Sequence, residues 1–205
     1  MPDAGITLNQ TDQMCQQKLV LPDADIRWYR QFLSVNESND LFDHLQQLDW
    51  QQPEIKIFGR AVAIPRRQIW MGDPHCSYRY SGVTFQPQPW IEPLQQLRQR
   101  LMQVSGFSVN AVLLNWYQHG EHHMGWHSDD EPELGSNPVV LSVSLGQTRK
   151  FDLKHKTLPL QCSLELADGD LLVMAGPCQH YWQHRVPKQL KAGGERINLT
   201  FRYLP

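Results

Sequence analysis

The spacing of hydrophobic and polar residues changes near residue 110 of this chain. Before that point, two segments repeat apolar residues every three or four positions, which is typical of helices with one buried face. After it, short segments of alternating or apolar residues lie between turn residues, which is typical of strands. The pattern therefore predicts two helices followed by a strand-rich second half.

Each predicted helix has a recognisable start or stop. The first covers about 37–49, and Ser34 or Asn36 can cap it, because short polar side chains accept hydrogen bonds from the free N–H groups of a first turn. The second covers about 90–104, and Gly106 is a suitable C-terminal stop. The helix boundaries are thus expected close to these residues.

The remaining segments of the first half are less regular. Asp25 to Leu33 alternates well enough to predict a strand. Residues 1–22 are polar without clear periodicity, so we expect a loose N-terminal segment there. Residues 53–89 are turn-rich, with five prolines between short strand-like pieces.

Seven strands are predicted in the second half, at near-even spacing. Many short strands of this kind predict a sandwich or a jelly-roll barrel. The helices are expected to cover one face of it, which gives an α+β, mainly β, architecture. The predicted strands cover residues 110–117, 139–145, 149–155, 162–167, 170–176, 180–186 and 196–203.

Composition narrows the class of protein. The 205 residues are enough for one well-buried domain, expected over 23–205, and 40% hydrophobic with 20% charged residues is ordinary for a globular protein. No apolar run has transmembrane length and no signal peptide is visible, so we expect neither a membrane partner nor secretion. The four cysteines form no C-x-x-C pair, which favours free thiols in a reducing compartment.

Charge is informative through its distribution. The net charge of −2 gives no global signal for nucleic acid, but residues 56–67 carry four cations and no acid. Residues 149–156 carry four cations against Asp152 alone. Such stripes are compatible with phosphate contacts, and equally with solvated basic faces that have no partner.

Two histidines and one aspartate suggest a metal site. His127 and Asp129 are two positions apart, so on a strand they would point to the same face, and His184 could join them in a folded sheet. Two imidazoles and one carboxylate form the facial triad of non-haem Fe(II) enzymes. The same set also serves catalytic zinc, and the spacing alone does not choose between the two metals.

Four further residues favour iron chemistry with an anionic co-substrate. Arg196 and Arg202 have the same parity on the last predicted strand, whose other face is apolar. Asn115 and Tyr117 could likewise donate hydrogen bonds from one face of a strand. A buried guanidinium needs an anionic partner, which a 2-oxo dicarboxylate supplies. The alternative is ordinary surface charge on an edge strand.

Several short motifs, in order, resemble the AlkB family of Fe(II)- and 2-oxoglutarate-dependent dioxygenases. The upstream motifs are IFGR (57–60), IPRRQIWMGD (64–73), YRYSG (78–82) and PQPW (87–90). The downstream motifs are NWYxxG (115–120), HSDDE (127–131), SVSLG (142–146), HRVP (184–187) and RINLTFR (196–202). The resemblance covers roughly residues 25–205 and is greatest to the duplex-DNA repair branch. It implies a double-stranded β-helix, or jelly roll, over 110–205 and a nucleotide-recognition lid with a finger hairpin over 53–89.

The resemblance also implies a role for individual residues. The iron ligands would be His127, Asp129 and His184. The 2-oxoglutarate contacts would be Asn115, Tyr117, Arg196, Asn198, Thr200 and Arg202. The substrate contacts would be Phe58, Gly59, Arg60, Tyr78, Arg79, Tyr80, Asp130 and Glu131.

Two of those implied roles have a physical rationale. Phe58 beside cations suits an apolar wedge that enters duplex DNA, although it could instead pack on the helices. Tyr80 would stack on a flipped base while Asp130 and Glu131 read its edge, which suits a cationic methylated base. A tyrosine rather than a phenylalanine at position 80 departs from the family pattern and leaves the lesion preference open.

The activity implied by the resemblance is oxidative demethylation of N-alkylated bases such as 1-methyladenine and 3-methylcytosine. It would use Fe(II), 2-oxoglutarate and O₂, and would act on alkylated double- or single-stranded DNA. The alternatives are the same chemistry on RNA, or a nucleic-acid-binding module without turnover. A monomer in a bacterial cytoplasm or a nucleus is expected.

Overall fold

A computed structural model describes residues 8–11, 16–57, 60–80 and 83–205. The first half contains β1 (Leu8–Thr11), β2 (Gln16–Leu19), β3 (Asp25–Tyr29), α1 (Val35–Gln46), β4 (Glu54–Ile57), β5 (Arg60–Ala63), β6 (Arg67–Gly72), β7 (Tyr78–Tyr80), β8 (Val83–Phe85) and α2 (Glu92–Ser105). The second half contains β9 (Ala111–Tyr117), β10 (Met124–His127), a 3₁₀ turn (Pro132–Leu134), β11 (Val140–Gly146), β12 (Arg149–His155), β13 (Gln161–Leu166), β14 (Leu171–Ala175), α3 (Cys178–Tyr181), β15 (Trp182–Val186) and β16 (Arg196–Arg202).

Two antiparallel sheets make up the jelly roll. Within the described ranges, eight strands form the major sheet in the order β1-β2-β3-β14-β11-β16-β9-β6. Four strands form the minor sheet in the order β10-β15-β12-β13. The predicted mainly β fold with a jelly-roll core is confirmed, and the site lies between these two sheets.

Both long helices cover the outer face of the major sheet. Leu45 of α1 and Leu101 of α2 pack in one apolar cluster with Ile197, Leu199 and Phe201 of β16. Burying this stripe supplies most of what holds a short amphipathic helix in place. Since neighbouring residues of a strand point to opposite faces, the even-numbered residues of β16 face the space between the sheets.

The helix ends agree closely with the sequence patterns. Ser34 caps α1 in a capping box with Glu37, in which each side chain bonds the other residue's backbone N–H. Gly106 ends α2 with φ 77°, a left-handed conformation that glycine adopts without a Cβ clash. The first helix is two residues earlier at its start than the apolar stripe suggested.

Within residues 1–22, for which we predicted a loose segment, the described residues include the strands β1 and β2. Gln16–Leu19 pairs with β3, and Leu8–Thr11 pairs with β2 at the edge of the major sheet. Backbone hydrogen bonds to an existing sheet can order a polar segment that has little apolar periodicity of its own. Composition alone therefore underestimated this end of the chain.

The predicted lid over 53–89 is interrupted by a strand of the core. Arg67–Gly72 pairs with β9 along its whole length and closes one side of the major sheet. The two hairpins of this region, β4–β5 and β7–β8, are separate two-stranded ribbons, one before and one after that strand in the sequence.

Among the described residues, none of the helices has the length and apolar character to cross a membrane.

Candidate metal centre and co-substrate pocket

His127 and His184 face each other across a strand pair. They are register partners in the antiparallel pairing of β10 with β15, and their ring centroids are 4.2 Å apart. Directly opposite residues of an antiparallel pair hold their side chains on the same face of the sheet. The two imidazoles are thus brought together by strand register alone.

Asp129 completes the cluster from beyond the end of β10. The strand stops at His127, so the predicted i, i+2 placement on one strand is wrong in detail. Two anchors hold the turn instead: Ser128 Oγ donates to the Trp182 carbonyl at 2.9 Å, and the Asp129 N–H donates to Gln179 Oε1 at 3.0 Å. These bonds point the carboxylate at the histidines.

The three side chains form a set of metal-ligand atoms. One ligand atom from each of His127, Asp129 and His184 lies within 4.8 Å of the other two. Asp129 Oδ2 is 3.8 Å from His184 Nε2, so that nitrogen faces the centre of the cluster. Nδ1 of His127 lies 2.9 Å from the Gly125 carbonyl, and if it donates there, Nε2 is left with its lone pair for a metal.

The charge states of the cluster suit a divalent cation. Burial raises the pKa of Asp129, but the charges of Arg202 and of the two histidines lower it to about 2. Burial, together with the charge of His127, lowers the pKa of His184 to about 3. A carboxylate and a neutral imidazole at neutral pH are the forms that bind metal.

Arg202 is bound directly to this centre. Its Nη2 donates to Asp129 Oδ1 at 2.6 Å, and both side chains are almost completely buried. Arg202 uses only one oxygen of the carboxylate. The other, Asp129 Oδ2, is buried and has no hydrogen-bond partner in the described part of the chain. An orphaned carboxylate oxygen beside two imidazoles is an atom that a cation would satisfy.

A cavity of about 690 Å³, counted with the part that opens to solvent, lies over the three ligands. It is lined by five of the six predicted co-substrate residues: Asn115, Tyr117, Asn198, Thr200 and Arg202. Glu131 also lines it. Strand register explains the grouping, because Asn198 of β16 pairs with Asn115 of β9.

The polar side chains beneath the cavity are held by one another. Asn198 Nδ2 donates to Ser142 Oγ at 2.9 Å and to the Val143 carbonyl at 3.0 Å, while Thr200 Oγ1 donates to Asn198 Oδ1 at 2.9 Å. Such a network fixes the rotamers of the pocket floor before any ligand arrives.

Arg196 does not line the cavity and has a different environment. It lies 5.4 Å from the Tyr117 ring centre, and its Nη2 donates to Ser144 Oγ at 3.0 Å. Burial lowers its pKa to about 10, so it remains a cation at neutral pH. Its Nε and Nη1 are buried with no hydrogen-bond partner among the described residues.

The predicted substrate residues separate into three groups. Glu131 lines the cavity, whereas Asp130 is exposed and accepts a 3.0 Å hydrogen bond from Lys156 Nζ. Arg60 begins β5 and Tyr78, Arg79 and Tyr80 form β7, so these four lie on the two hairpins. Phe58 and Gly59 lie outside the described residues.

Sequence reasoning missed residues that act on the site through long-range contacts. Arg66 is buried and donates from Nε to Asn115 Oδ1 at 2.8 Å. Gln179 holds the Asp129 backbone, and Arg149 lies 5.6 Å from the Tyr117 ring centre. Arg66 lay in a noted basic stripe, and Arg149 in the other, but nothing local marked Gln179.

Comparisons with known proteins agree with this geometry. A family model described as "2OG-Fe(II) oxygenase superfamily" matches residues 25–202. The DNA oxidative demethylase ALKBH2 of Bos taurus is 36% identical over 178 residues, which is 81% of this chain and 64% of that protein. The alpha-ketoglutarate-dependent dioxygenase alkB homolog 3 of Rattus norvegicus is 36% identical over 185 residues, 85% of this chain and 62% of its own length.

This chain therefore spans a little under two thirds of the length of these two relatives. A solved structure titled "The structure of OsALKBH1" superposes with a TM-score of 0.68 at 19% identity, covering 91% of this chain and 99% of the other. At that identity the match supports the fold and says nothing of the substrate.

Proposed function

The chain belongs to the 2OG-Fe(II) oxygenase superfamily and, within it, to the AlkB family, and we propose that it removes alkyl groups from N-alkylated bases in DNA by oxidation. The observation that carries the proposal is the cluster of half-buried His127 with buried Asp129 and His184, at the base of a cavity lined by five predicted co-substrate residues. The family implies Fe(II), 2-oxoglutarate and O₂ as the reactants.

The ligand cluster fits Fe(II). His127 and His184 offer imidazole nitrogens, Asp129 offers an ionised oxygen, and this set leaves positions for a bidentate co-substrate and O₂. When bound, the metal would allow O₂ to oxidise both partners: two electrons would come from 2-oxoglutarate as it is decarboxylated to succinate, and two from the N-alkyl carbon. Zinc chemistry would leave the polar, cationic floor of the cavity without a role.

The surrounding residues would orient the co-substrate. Arg202 is bound to a metal ligand, so it can hold a carboxylate next to the metal and keep Asp129 ionised at the same time. Arg196 lies beyond Tyr117 with unsatisfied donors, which suits the distal carboxylate. We assign Asn115, Tyr117, Asn198 and Thr200 to the walls between these two ends.

The substrate side is an alkylated base drawn out of its stack. Glu131 lies in the cavity, so we expect it to face the base, while Asp130 is engaged by Lys156 and anchors the turn. An acid favours a cationic lesion such as 1-methyladenine or 3-methylcytosine. We retain Tyr78, Arg79 and Tyr80 as the expected stacking segment, and Phe58, Gly59 and Arg60 as the expected finger.

We propose double- or single-stranded DNA as the substrate, with RNA as the alternative. We also propose a monomer that acts without a membrane partner, in a bacterial cytoplasm or a nucleus. The similarity to ALKBH2 and to alkB homolog 3 at equal identity leaves the preferred strand form to experiment.

Formaldehyde release tests the proposal directly. Matched oligonucleotides with 1-methyladenine, as double-stranded DNA, single-stranded DNA and RNA, are incubated with the protein, Fe(II) and 2-oxoglutarate. We expect release from at least one DNA form, abolished by omission of either Fe(II) or 2-oxoglutarate. Release from RNA alone would show that RNA is the substrate. No release from any form would contradict the proposed enzyme activity and support a nucleic-acid-binding module without turnover.

A further inference from the structure

Arg149 is a buried cation to which the proposed function gives no role. It is the first residue of β12 and is 1% exposed. Its guanidinium carbon lies 5.6 Å from the centre of the Tyr117 ring, and that of Arg196 lies 5.4 Å from the same centre. The two guanidinium groups are therefore no more than about 11 Å apart, the sum of those distances.

The hydrogen bonds of Arg149 all go to neutral acceptors. Its Nη2 donates to the carbonyls of His122 and Pro187, both at 2.8 Å, and its Nε donates to Gln189 Oε1 at 3.2 Å. These bonds tie two loops, one after β9 and one after β15, to the end of the barrel. In the part of the chain that the structure describes, Nη1 is buried with no hydrogen-bond partner.

Two buried cations thus share one end of the barrel without a visible counter-charge. Neither Arg149 nor Arg196 forms an ion pair with a described residue. Burial lowers the pKa of Arg149, and the charge of Arg149 is one of the causes that lower the pKa of Arg196. An arrangement of this kind is unfavourable until an anion enters and offsets the desolvation of both groups.

We propose that Arg149 is a positioning residue for the co-substrate, whose charge, acting with that of Arg196 beside the Tyr117 ring, makes the pocket select a 2-oxo dicarboxylate over a 2-oxo monocarboxylate. The inference rests on the proposed function and adds a second cation to the distal end of its pocket. Arg149 does not touch the ligand in this account. It raises the local positive potential and holds the loops against Tyr117.

Equilibrium binding of two ligands separates this electrostatic role from a structural one. 2-Oxoglutarate and 2-oxovalerate have the same chain length, but only the first carries a distal carboxylate. Their dissociation constants are measured by calorimetry without O₂, with Mn(II) in place of Fe(II), so no turnover is required. Selectivity for the distal charge is the dissociation constant of 2-oxovalerate divided by that of 2-oxoglutarate, and a lower ratio means weaker selectivity.

Three variants are compared with the unchanged protein. Arg149→Gln should weaken 2-oxoglutarate about tenfold, the order expected for loss of a unit charge roughly 10 Å away at an effective dielectric of about 20, and leave 2-oxovalerate nearly unchanged. Gln189→Glu places a carboxylate at the atom that accepts from Arg149 Nε and should lower the same ratio. Gln189→Ala removes that acceptor but keeps the cation, so it is the matched control and should keep the ratio.

Every outcome bears on the inference. Equal weakening of both ligands in Arg149→Gln, or no change in either, overturns it and leaves Arg149 as a structural tie between loops. If Arg149→Gln fails to fold, Gln189→Glu decides, and an unchanged ratio there overturns it. Absence of 2-oxoglutarate binding to the unchanged protein would instead overturn the proposed function as well.

Discussion

The two arginines of β16 lie on one face of one strand in opposite electrostatic situations. Arg202 donates to Asp129 at 2.6 Å and is therefore paired with one of the three metal-ligating side chains. Arg196, at the other end of the strand, donates to the Ser144 hydroxyl and forms no ion pair with a described residue. One cation is compensated by the protein, and the other lacks a charge partner.

The difference shows how one strand can serve both metal and co-substrate. Six residues of strand span about 20 Å, so Arg196 and Arg202 lie at opposite ends of β16. The end next to the metal needs its cation in every state, because Asp129 stays ionised there. In the proposed complex, the far end acquires its charge partner only when the ligand binds.

Loss of Asp129 should have the largest effect on function. We expect Asp129→Ala to reduce formaldehyde release by about 1,000-fold or more, because removal of a group that acts as a unit with others is rarely compensated. It should also weaken Mn(II) binding and destabilise the protein, since Arg202 would be buried without its partner. Glu165→Gln, at an exposed position of β13, is the control, and full activity in Asp129→Ala would show that Asp129 is not a metal ligand.

Arg196→Met should mainly affect the co-substrate requirement. We expect the 2-oxoglutarate concentration for half-maximal activity to rise about 100-fold, because a buried charge contact to the ligand is lost. Metal affinity, measured with Mn(II), should stay the same. Arg185→Gln is the control, because this half-buried arginine is paired with Asp152. It should change neither the 2-oxoglutarate requirement nor the Mn(II) affinity by more than about twofold. A similar rise of the 2-oxoglutarate requirement in both variants would show that Arg196 has only a general structural role.

The stability of the metal-free protein should separate the two arginines. Arg202→Met leaves the Asp129 carboxylate buried without its cation and should lower the free energy of unfolding by about 3 kcal/mol. Arg196→Met removes a cation that has no acid partner in the described ranges and should leave this free energy unchanged or raise it. Chemical denaturation after chelation measures both, and equal destabilisation would erase the contrast between the two ends of β16.

The acid sensitivity that comes from Asp129 should be the smallest of these effects. The pKa of Asp129 is about 2 in the fold against an ordinary value of 3.8, so its contribution is present above about pH 4 and is lost as the pH falls towards 2, amounting to about 2 kcal/mol. The lowered pKa of His184 acts in the same direction between about pH 6.5 and 3.

The arginine variants identify the source of that sensitivity. In Arg202→Met the Asp129 contribution should shrink, because the nearest cation that lowers this pKa is gone. In Arg196→Met it should persist. Unfolding of the metal-free variants between pH 2 and 5 gives the measurement, and identical curves for all three proteins would contradict the assignment.

Local patterns predicted the fold well where one residue's environment decided the outcome. The Ser34 cap and the Gly106 stop follow from backbone chemistry at a helix end, and the apolar Ile197, Leu199 and Phe201 lie against the helices as their parity predicted. The N-terminal strands were missed because their order comes from pairing with β3 and not from their own apolar residues.

The sequence predicted the residue types of the site better than the contacts that position those residues. Asp129 was expected on a strand, and the structure places it in a turn held by Ser128 and Gln179. The basic stripe at 149–156 was considered as a phosphate surface, yet Arg149 is buried beside Tyr117 and Lys156 pairs with Asp130. Contacts between residues distant in sequence have no local signature.

The sequence by itself determined which residues could do the chemistry and which face of β16 they share. Strand alternation is a local property with a period of two, so parity is visible in one dimension. Only the tertiary structure decided that His184 lies opposite His127 in a strand pair and that Arg202, not Arg196, forms the ion pair with Asp129. It also placed Arg149 beside the Tyr117 ring, as it did Arg196. Charge pairing acts through space, and the chain must be folded before those distances exist.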